Sequence, residues 1–453
     1  MKIKQLHFFL VLSFFLFYMS GKAQKITMFF PEFAGKTYDF ILFQGSSPVV
    51  QKGTVPAGGR FVLEIPKIIE PVPYVGMARW MLTNTQEGGG LELIVAGADF
   101  SVECMVKTPG NKDIHYISNS QNIVLDSIYK LQKDIMDRYA VMNQAVKIFP
   151  KTDKDYKRYM KTREKQIAEF AGLREKLLAR SDYASAFLMI SNITNGVSFR
   201  LEEDEKMNLQ KTTDYIAHQL NWSKLYTSGY WNDLIKIWVS LEMIEYHEGK
   251  SDVVKDFQTI AGKLTTVQYT SFVKRVIHDL TAVGKDDVIE KLRPAVVSSG
   301  KITQYEGVLS VFNKSGVGMQ APDLLIPASE IPGKDMKAVS FVTTHQYKYS
   351  LLLFYHTGCG HCDAVIKNLN ESTDIMKQKN VRIISVAGDS DFSAFKKNAE
   401  NFKWKDAYCD LNGSDGINFK NYGVAGTPTL ILIDSEGKIV SRESSLAAIL
   451  MKL

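Results

Sequence analysis

Two cysteines separated by two residues, Cys359-Gly360-His361-Cys362, are the side chains here whose type and spacing most directly suggest chemistry. A Cys-x-x-Cys can pass between dithiol and disulfide, and its thiolate is the nucleophile in exchange with another disulfide. His361, between the sulfurs, could donate to the Cys359 sulfur or pair with it as imidazolium, which favours the reduced form and makes the couple more oxidising. Farther on, Gly423-Val424-Ala425-Gly426-Thr427-Pro428-Thr429 leads into an apolar run. An X–Pro bond such as Thr427-Pro428 is the kind that adopts cis at moderate cost.

These residues need elements to position them. The stretch Leu351 to Asn368 reads as a buried strand, a short turn, and a helix opened by the cysteines. The first turn of a helix has four backbone N–H groups without intrahelical partners, and its dipole is positive there. A thiolate is favoured at that end. Cys359 should sit there with its sulfur exposed, and Cys362, one turn inward, should be shielded. A helix-start Cys-x-x-Cys lowers a thiol pKa from about 8.5 to ~3.5–7.5. The helix end alone offers about 0.3–1 kcal/mol, up to ~2 when partly buried, so a second donor is expected.

Placed together, these motifs resemble the thioredoxin-fold domain of exported TlpA/ResA-type thiol–disulfide oxidoreductases over residues 316–453. The likeness runs from Ala321-Pro322-Asp323 to the Asp434-Ser435-Glu436-Gly437-Lys438 hairpin. The resemblance implies that Thr427 and Pro428 lie beside the dithiol and offer backbone groups to a substrate peptide. It implies no prosthetic group, because electrons pass through the dithiol itself. It also implies exported protein thiols or disulfides and a redox partner protein as partners, with cytochrome-maturation clients among the candidates. The sequence departs from its relatives at two places. The buried acid that thioredoxins carry six residues before the first Cys is Leu353 here, and the Glu that some ResA-type proteins carry after the second Cys is Val365. Protein disulfide isomerases share Phe354-Tyr355 and Cys-Gly-His-Cys but also use the buried acid. A proton acceptor for Cys362 is not evident in the sequence, and Asp363 should point outward.

Rival chemistries fit less well. A peroxiredoxin needs Pro-x-x-x-Thr-x-x-Cys, and the corresponding places hold Leu352 and His356. Zinc on Cys359, Cys362 and His356 or His361 would lack a fourth ligand, so no metal is assigned. Haem attachment needs His where Asp363 stands. Cys104 and Cys409 read as small buried hydrophobes, with Cys409 the better of the two for a redox role. Four cysteines are too few for a disulfide scaffold in a chain of 453 residues. A reading of another class stays open: an envelope binding or scaffold protein with a weakly active thioredoxin-like tail.

The remaining sequence gives the organisation. The apolar fraction of 45% and charged fraction of 23% are those of a globular protein. A net charge of +6 without a basic, aromatic-interleaved patch excludes nucleic acid as a partner. Lys2 and Lys4, the apolar run His7 to Met19, and Gly21-Lys22-Ala23 read as a secretory signal over 1–23. This places the chain in the periplasm or otherwise outside the cytoplasm, with no stable membrane span once the signal is cleaved.

Residues 24–112 alternate with period two, as in Tyr38, Phe40, Leu42 and Phe61, Leu63, Ile65, between turn clusters at Gly45 to Pro48, Pro56 to Gly59 and Gly88 to Gly90. That predicts a β-sandwich-like domain, antiparallel in its pairing. It resembles a β-rich domain of unknown function that precedes thioredoxin domains in exported proteins of Bacteroidetes. Trp80 and Met81 are expected in its core. Residues 118–312 repeat apolar positions at steps of three and four, predicting an all-α domain. Its helices are expected from near Ser118 to Pro150, at Asp153 to Arg180 behind a Thr152/Asp155 capping box, and at 182–193, 202–219, 229–246, 252–263, 266–282 and 285–297. His218, His247 and His278 stand singly, and Trp222 to Trp238 reads as core. The last domain alternates strand and helix, with strands at Lys337 to Thr343, Tyr349 to Phe354 and Val381 to Ala387, and a closing hairpin of Thr429 to Ile433 with Ile439 to Arg442. Its helices are expected at Cys359 to Lys377, Asp391 to Asn401 and Ser414 to Tyr422, with a short closing one near Ser445. Whether the chain forms a homodimer is left open.

Overall fold

The computed structural model describes residues 23–67, 71–85, 89–201, 205–247, 249, 251–327, 336–340 and 346–453. The expected signal segment lies outside these residues apart from Ala23, as do Gly88, residues 341–343 of one expected strand, the start of the 202–219 helix and the His247 side chain. Among the described residues, no helix is long and apolar enough to cross a membrane. Two compact units emerge, one of residues up to Ile41 with Val50–Ile123, the other of Leu42–Val49 with Val124–Leu453.

Alternating apolar residues build the β-rich region. Its strands are β1 (Lys25–Phe29), β2 (Thr37–Leu42), β3 (Val49–Thr54), β4 (Arg60–Glu64), β5 (Val75–Thr83), β6 (Gly90–Ala96), β7 (Phe100–Glu103) and β8 (His115–Ile117). They form two four-stranded sheets, β4-β1-β7-β8 and β3-β2-β5-β6. One pairing departs from the antiparallel expectation: β1 and β7 run parallel, Ile26 beside Phe100. The chain between them passes through the whole second sheet, which is long enough for the crossover a parallel pair requires. Trp80 is buried, its ring against Phe30, Tyr38 and Phe61. Met81 is not core; its neighbour occupies the inner face, so strand alternation turns it outward, 37% exposed.

The helical region contains α1 (Ser120–Ile148), α2 (Tyr156–Ala179), α3 (Tyr183–Thr194), α4 (Glu205–Asp214), α5 (Trp222–Tyr226), α6 (Trp231–His247), α7 (Val253–Gly262), α8 (Thr266–Ala282) and α9 (Asp286–Ser298). Trp222, Trp231, Trp238, Phe257 and Phe272 are buried together at its centre. The Trp222 ring meets Trp231 at 5.8 Å and Phe272 at 5.3 Å, both edge-on, a favourable quadrupole arrangement. The expected Thr152/Asp155 capping box does not form. Asp155 itself is the N-cap, in helical backbone and without a side-chain cap bond. Its amide instead donates to Asp153 Oδ1 in the preceding turn.

The C-terminal region comprises β9 (Leu324–Pro327), β10 (Met336–Val339), β11 (Tyr349–Tyr355), α10 (Gly360–Glu371), α11 (Thr373–Gln378), β12 (Val381–Ala387), α12 (Phe392–Ala399), β13 (Asp406–Cys409), α13 (Ile417–Asn421), β14 (Thr429–Asp434), β15 (Ile439–Glu443) and α14 (Leu446–Leu450). Five strands make one sheet in the order β13-β12-β11-β14-β15. β12 lies parallel to β11 and β13, whereas β14 runs antiparallel to β11 and β15. The central strand β11 is covered on both faces, as its unbroken apolar run requires. Leu351, Leu353 and Tyr355 pack with Cys362, Val365 and Leu369 on one side; Leu352 and Phe354 pack with Ile384, Phe419 and Ile431 on the other. The chain thus has the multidomain layout expected of it: a β-rich region, a helical middle, and an α/β C-terminal domain.

Candidate redox site at the start of helix α10

The strand β11 ends at Tyr355, and the three residues His356, Thr357 and Gly358 carry the chain to Cys359. Cys359 is the N-cap of α10, in extended backbone, and its sulfur accepts the Cys362 amide at 3.4 Å. One of the orphan donors of the helix start therefore points at that sulfur. Cys359 is half-buried and Cys362 fully buried, both as free thiols. On the other side of the Cys359 sulfur stands the Thr427–Pro428 turn, whose peptide bond is cis. The Cys359 thiol lies 3.9 Å from the Thr427 carbonyl oxygen. The sequence-predicted residues Cys359, Cys362, Thr427 and Pro428 are thus brought together by two elements far apart in the chain.

His361 joins them only in part. It occupies the first turn of α10, but its imidazole is exposed, and among the described residues no hydrogen bond links it to the Cys359 sulfur. The N-terminal turn of a helix splays successive side chains about 100° apart, which carries His361 away from the cap. The expected pairing with Cys359 is not formed. Asp363 is exposed as expected.

A residue not assigned to redox chemistry from the sequence occupies the inner side of the site. His356 directly follows β11, and its Nδ1 lies 3.1 Å from the Thr427 hydroxyl while its Nε2 lies 3.2 Å from the Ser414 hydroxyl. Its ring meets Phe419 at 5.7 Å and lies over Gly388, where a Cβ would come within 2.5 Å of Nε2. Next to it, Thr357 donates its amide and hydroxyl to Asp389, at 2.9 and 2.6 Å. The sequence names His356 only within rival chemistries, and its step of three residues before Cys359 carries no redox motif.

Burial dominates the electrostatics of the inner sulfur. Burial, reinforced by the neighbouring Cys359, pushes the Cys362 thiol up to about 11; hydrogen bonds from the His356 main chain and the Thr427 side chain pull it back down. Burial also raises the Tyr355 phenol, with further upward contributions from Asp389, Cys409 and Cys362. The Cys409 thiol is buried and raised for the same first reason, and it donates to the Asp389 carbonyl at 3.4 Å. Cys104, in the β-rich region, is likewise buried. Among the described residues no cluster of three or more His, Cys, Asp or Glu is arranged to hold a metal ion.

Comparison with known proteins agrees with this geometry. The thioredoxin-like family model matches residues 346–439, the segment holding β11, the dithiol and the cis-proline. The C-terminal domain is thioredoxin-like. The thiol–disulfide oxidoreductase ResA of Bacillus cereus is 29% identical over 147 residues, covering 32% of this chain and 80% of that protein. Its counterpart in Bacillus thuringiensis is 29% identical over 138 residues, covering 30% of this chain and 75% of that protein. Among solved structures, the thioredoxin domain of a thiol–disulfide oxidoreductase from Bacteroides vulgatus is 25% identical, covering 30% of this chain and 96% of that one, with a TM-score of 0.26. A thioredoxin-like protein from Bacteroides caccae, 13% identical, covers 68% of this chain and 88% of that one, with a TM-score of 0.31. The family model leaves the β-rich and helical regions outside its match.

Proposed function

We propose that the chain is an extracytoplasmic thiol–disulfide oxidoreductase that exchanges disulfides with exported proteins through its Cys-Gly-His-Cys dithiol. One observation carries this reading: the half-buried Cys359 sulfur sits at the cap of α10, takes the Cys362 amide, and faces the Thr427–Pro428 turn. The thiolate of Cys359 attacks a disulfide of the partner, forming a mixed disulfide and releasing one partner sulfur as thiolate. Cys362 then attacks the Cys359 sulfur. The Cys359–Cys362 bond forms, the bond to the partner breaks, and two electrons have moved to the partner. Run backward, the same steps oxidise a partner dithiol. Thr427 and Pro428 hold the partner backbone beside the sulfurs, and His361, exposed on the first turn, faces the docked chain. The extracytoplasmic setting is supported by the apolar, lysine-flanked start of the sequence.

A trap tests this. Cys362→Ala leaves a mixed disulfide on Cys359 unresolved, so expression in the native host followed by mass spectrometry should recover exported proteins linked to Cys359. Recovery of none, under both oxidising and reducing growth, would leave a binding or scaffold role as the better account.

A further inference from the structure

A partner backbone can pair with Thr427 only if the segment that delivers this residue is itself held in place. That segment runs from the end of α13 at Asn421 to the start of β14 at Thr429 and belongs to neither helix nor strand. The last carbonyls of a helix have no partners within it, and here they are met from outside. Ser310 lies in the short helical turn Gly307–Phe312, ahead of the residues that the family model matches, and is buried. Its hydroxyl is 3.1 Å from both the Lys420 and the Asn421 carbonyls and donates across the pair. The Arg442 guanidinium takes the next two, donating to the Tyr422 carbonyl at 2.8 Å and the Gly423 carbonyl at 3.4 Å. Arg442 is in turn held by Asp286 of the helical region at 3.4 Å. Gly423, at φ +59°, is pressed so closely on the helical turn that a Cβ would come within 2.8 Å of Ser310 Oγ and Val311 Cγ1. Two residues on, Ala425 packs against the same helical core as Leu309 and Val311. The far end is closed by His356, which meets the Thr427 hydroxyl at 3.1 Å, while the Thr427 carbonyl faces the Cys359 sulfur.

We propose that Ser310 and Arg442 form a clamp on the turn entering the cis-proline, through which the helical region sets how a partner's backbone docks at Cys359. Four consecutive carbonyls, from Lys420 to Gly423, are thereby fixed by two side chains, and only Val424, Ala425 and Gly426 separate them from Thr427. Backbone pairing tolerates N···O distances of only about 2.7–3.2 Å, so slack at Lys420 to Gly423 is felt at Thr427. Ser310 is a positioning residue, because it touches neither sulfur and acts only through the chain it holds. The helical region is thus part of the machinery that receives a partner, although the thiol chemistry lies wholly in the C-terminal domain. The inference rests on the dithiol exchange and the Thr427 docking proposed above.

Two disulfides that differ in peptide groups test the clamp on the reduced full-length chain. The disulfide-linked dimer of N-acetyl-Ala-Cys-Ala-amide carries backbone amides on both sides of its sulfurs, whereas 5,5′-dithiobis(2-nitrobenzoate) carries none. The ratio of their second-order rate constants reports backbone docking apart from thiol reactivity. Ser310→Ala, which removes the donor and little volume, should lower the peptide-to-aromatic ratio at least about fivefold. Gly423→Ala strains the same turn from the other side and should lower it too. Ser228→Ala removes another buried hydroxyl of the helical region, one that donates to the Leu225 carbonyl at 2.9 Å, and should leave the ratio unchanged. A folded Ser310→Ala or Gly423→Ala protein with the wild-type ratio overturns the clamp while leaving exchange intact, and so does an equal fall in Ser228→Ala. A wild type that reacts with the aromatic disulfide and not with the peptide overturns the docking that the clamp serves. A wild type that reacts with neither defeats the exchange itself.

Discussion

Arg442 of β15 and Asp286, the first residue of α9, face each other at 3.4 Å, both buried. The pair joins the helical region to the thioredoxin-like domain within one compact unit. The Arg442 guanidinium also donates to the carbonyls of Ser315 and Tyr422, at 3.0 and 2.8 Å. Burial lowers the Arg442 pKa and raises that of Asp286, and in each case the partner only partly offsets it. Desolvation therefore outweighs attraction, the usual balance for a buried pair.

That balance makes the single and double variants diverge. Arg442→Met or Asp286→Leu alone strands a buried charge and should cost about 3–5 kcal/mol. The double variant should recover a large part of that loss, short of all of it, because the Ser315 and Tyr422 carbonyls remain unpaired. Denaturant titration of the four proteins measures the coupling. Additive losses would mean that the two residues do not act as a pair.

The cysteines should separate sharply in reactivity. Cys359 is half-buried at a helix cap, whereas Cys362, Cys409 and Cys104 are buried, and burial raises the first two of these thiols. Limited iodoacetamide near pH 7 should label Cys359 at least about a hundredfold faster than the other three. Peptide mass spectrometry reads this directly, and Cys359→Ser should abolish the fast label. A fast label that survives this change would place the reactive thiol elsewhere.

The parts of this site legible in the sequence are those set by local pattern. Leu351 to Phe354 is an unbroken apolar run that only a strand covered on both faces explains, and the cysteine spacing fixes one helical turn. The placement of His356 was out of reach because it is made by Thr427, Ser414 and Gly388, which lie 71, 58 and 32 positions away in sequence. The edge strand β13 escaped for a related reason: of its four residues only Cys409 is buried, so it has no periodicity to detect. The failed Thr152/Asp155 cap is the opposite case, a local pattern overridden by a turn in which Asp153 supplies the acceptor. His361 shows the limit of adjacency, being next to the dithiol in sequence and turned to solvent in space.

The β-rich region offers a backbone test. Gly59 has φ +69°, and a Cβ there would lie 2.3 Å from Pro31 Cα, while its carbonyl accepts the Phe30 amide at 2.8 Å. Left-handed backbone costs an L-residue about 1–2 kcal/mol, and a backbone neighbour cannot step aside cheaply. Gly59→Ala should therefore destabilise by more than about 2 kcal/mol and raise amide exchange in β1 and β4. Gly58→Ala, with open space around its Cβ, should be close to neutral. Equal exchange in the two variants would refute the assignment.

Glu242 on α6 gives the helical region a pH dependence of known sign. The residue is fully buried. Burial pushes its carboxyl up to about 8, against the pull of the Ser251 hydroxyl that donates to it at 2.7 Å and with further upward contributions from Asp256 and Glu245. In the unfolded chain a glutamate titrates near 4.3. Between these values the folded protein holds a proton that the unfolded chain has released, so stability falls as pH rises through the window. The slope from one such group is at most about 1.4 kcal/mol per pH unit. Thermal midpoints measured from about pH 5 to pH 8 should therefore decline in the wild type and decline less in Glu242→Gln, whose neutral amide has no proton to lose. Because Gln keeps the shape and an acceptor for Ser251, it should match or exceed the wild-type midpoint near pH 8. Parallel curves for the two proteins would show that Glu242 ionises in the folded state at its ordinary pH, and the buried-proton account of α6 would be abandoned.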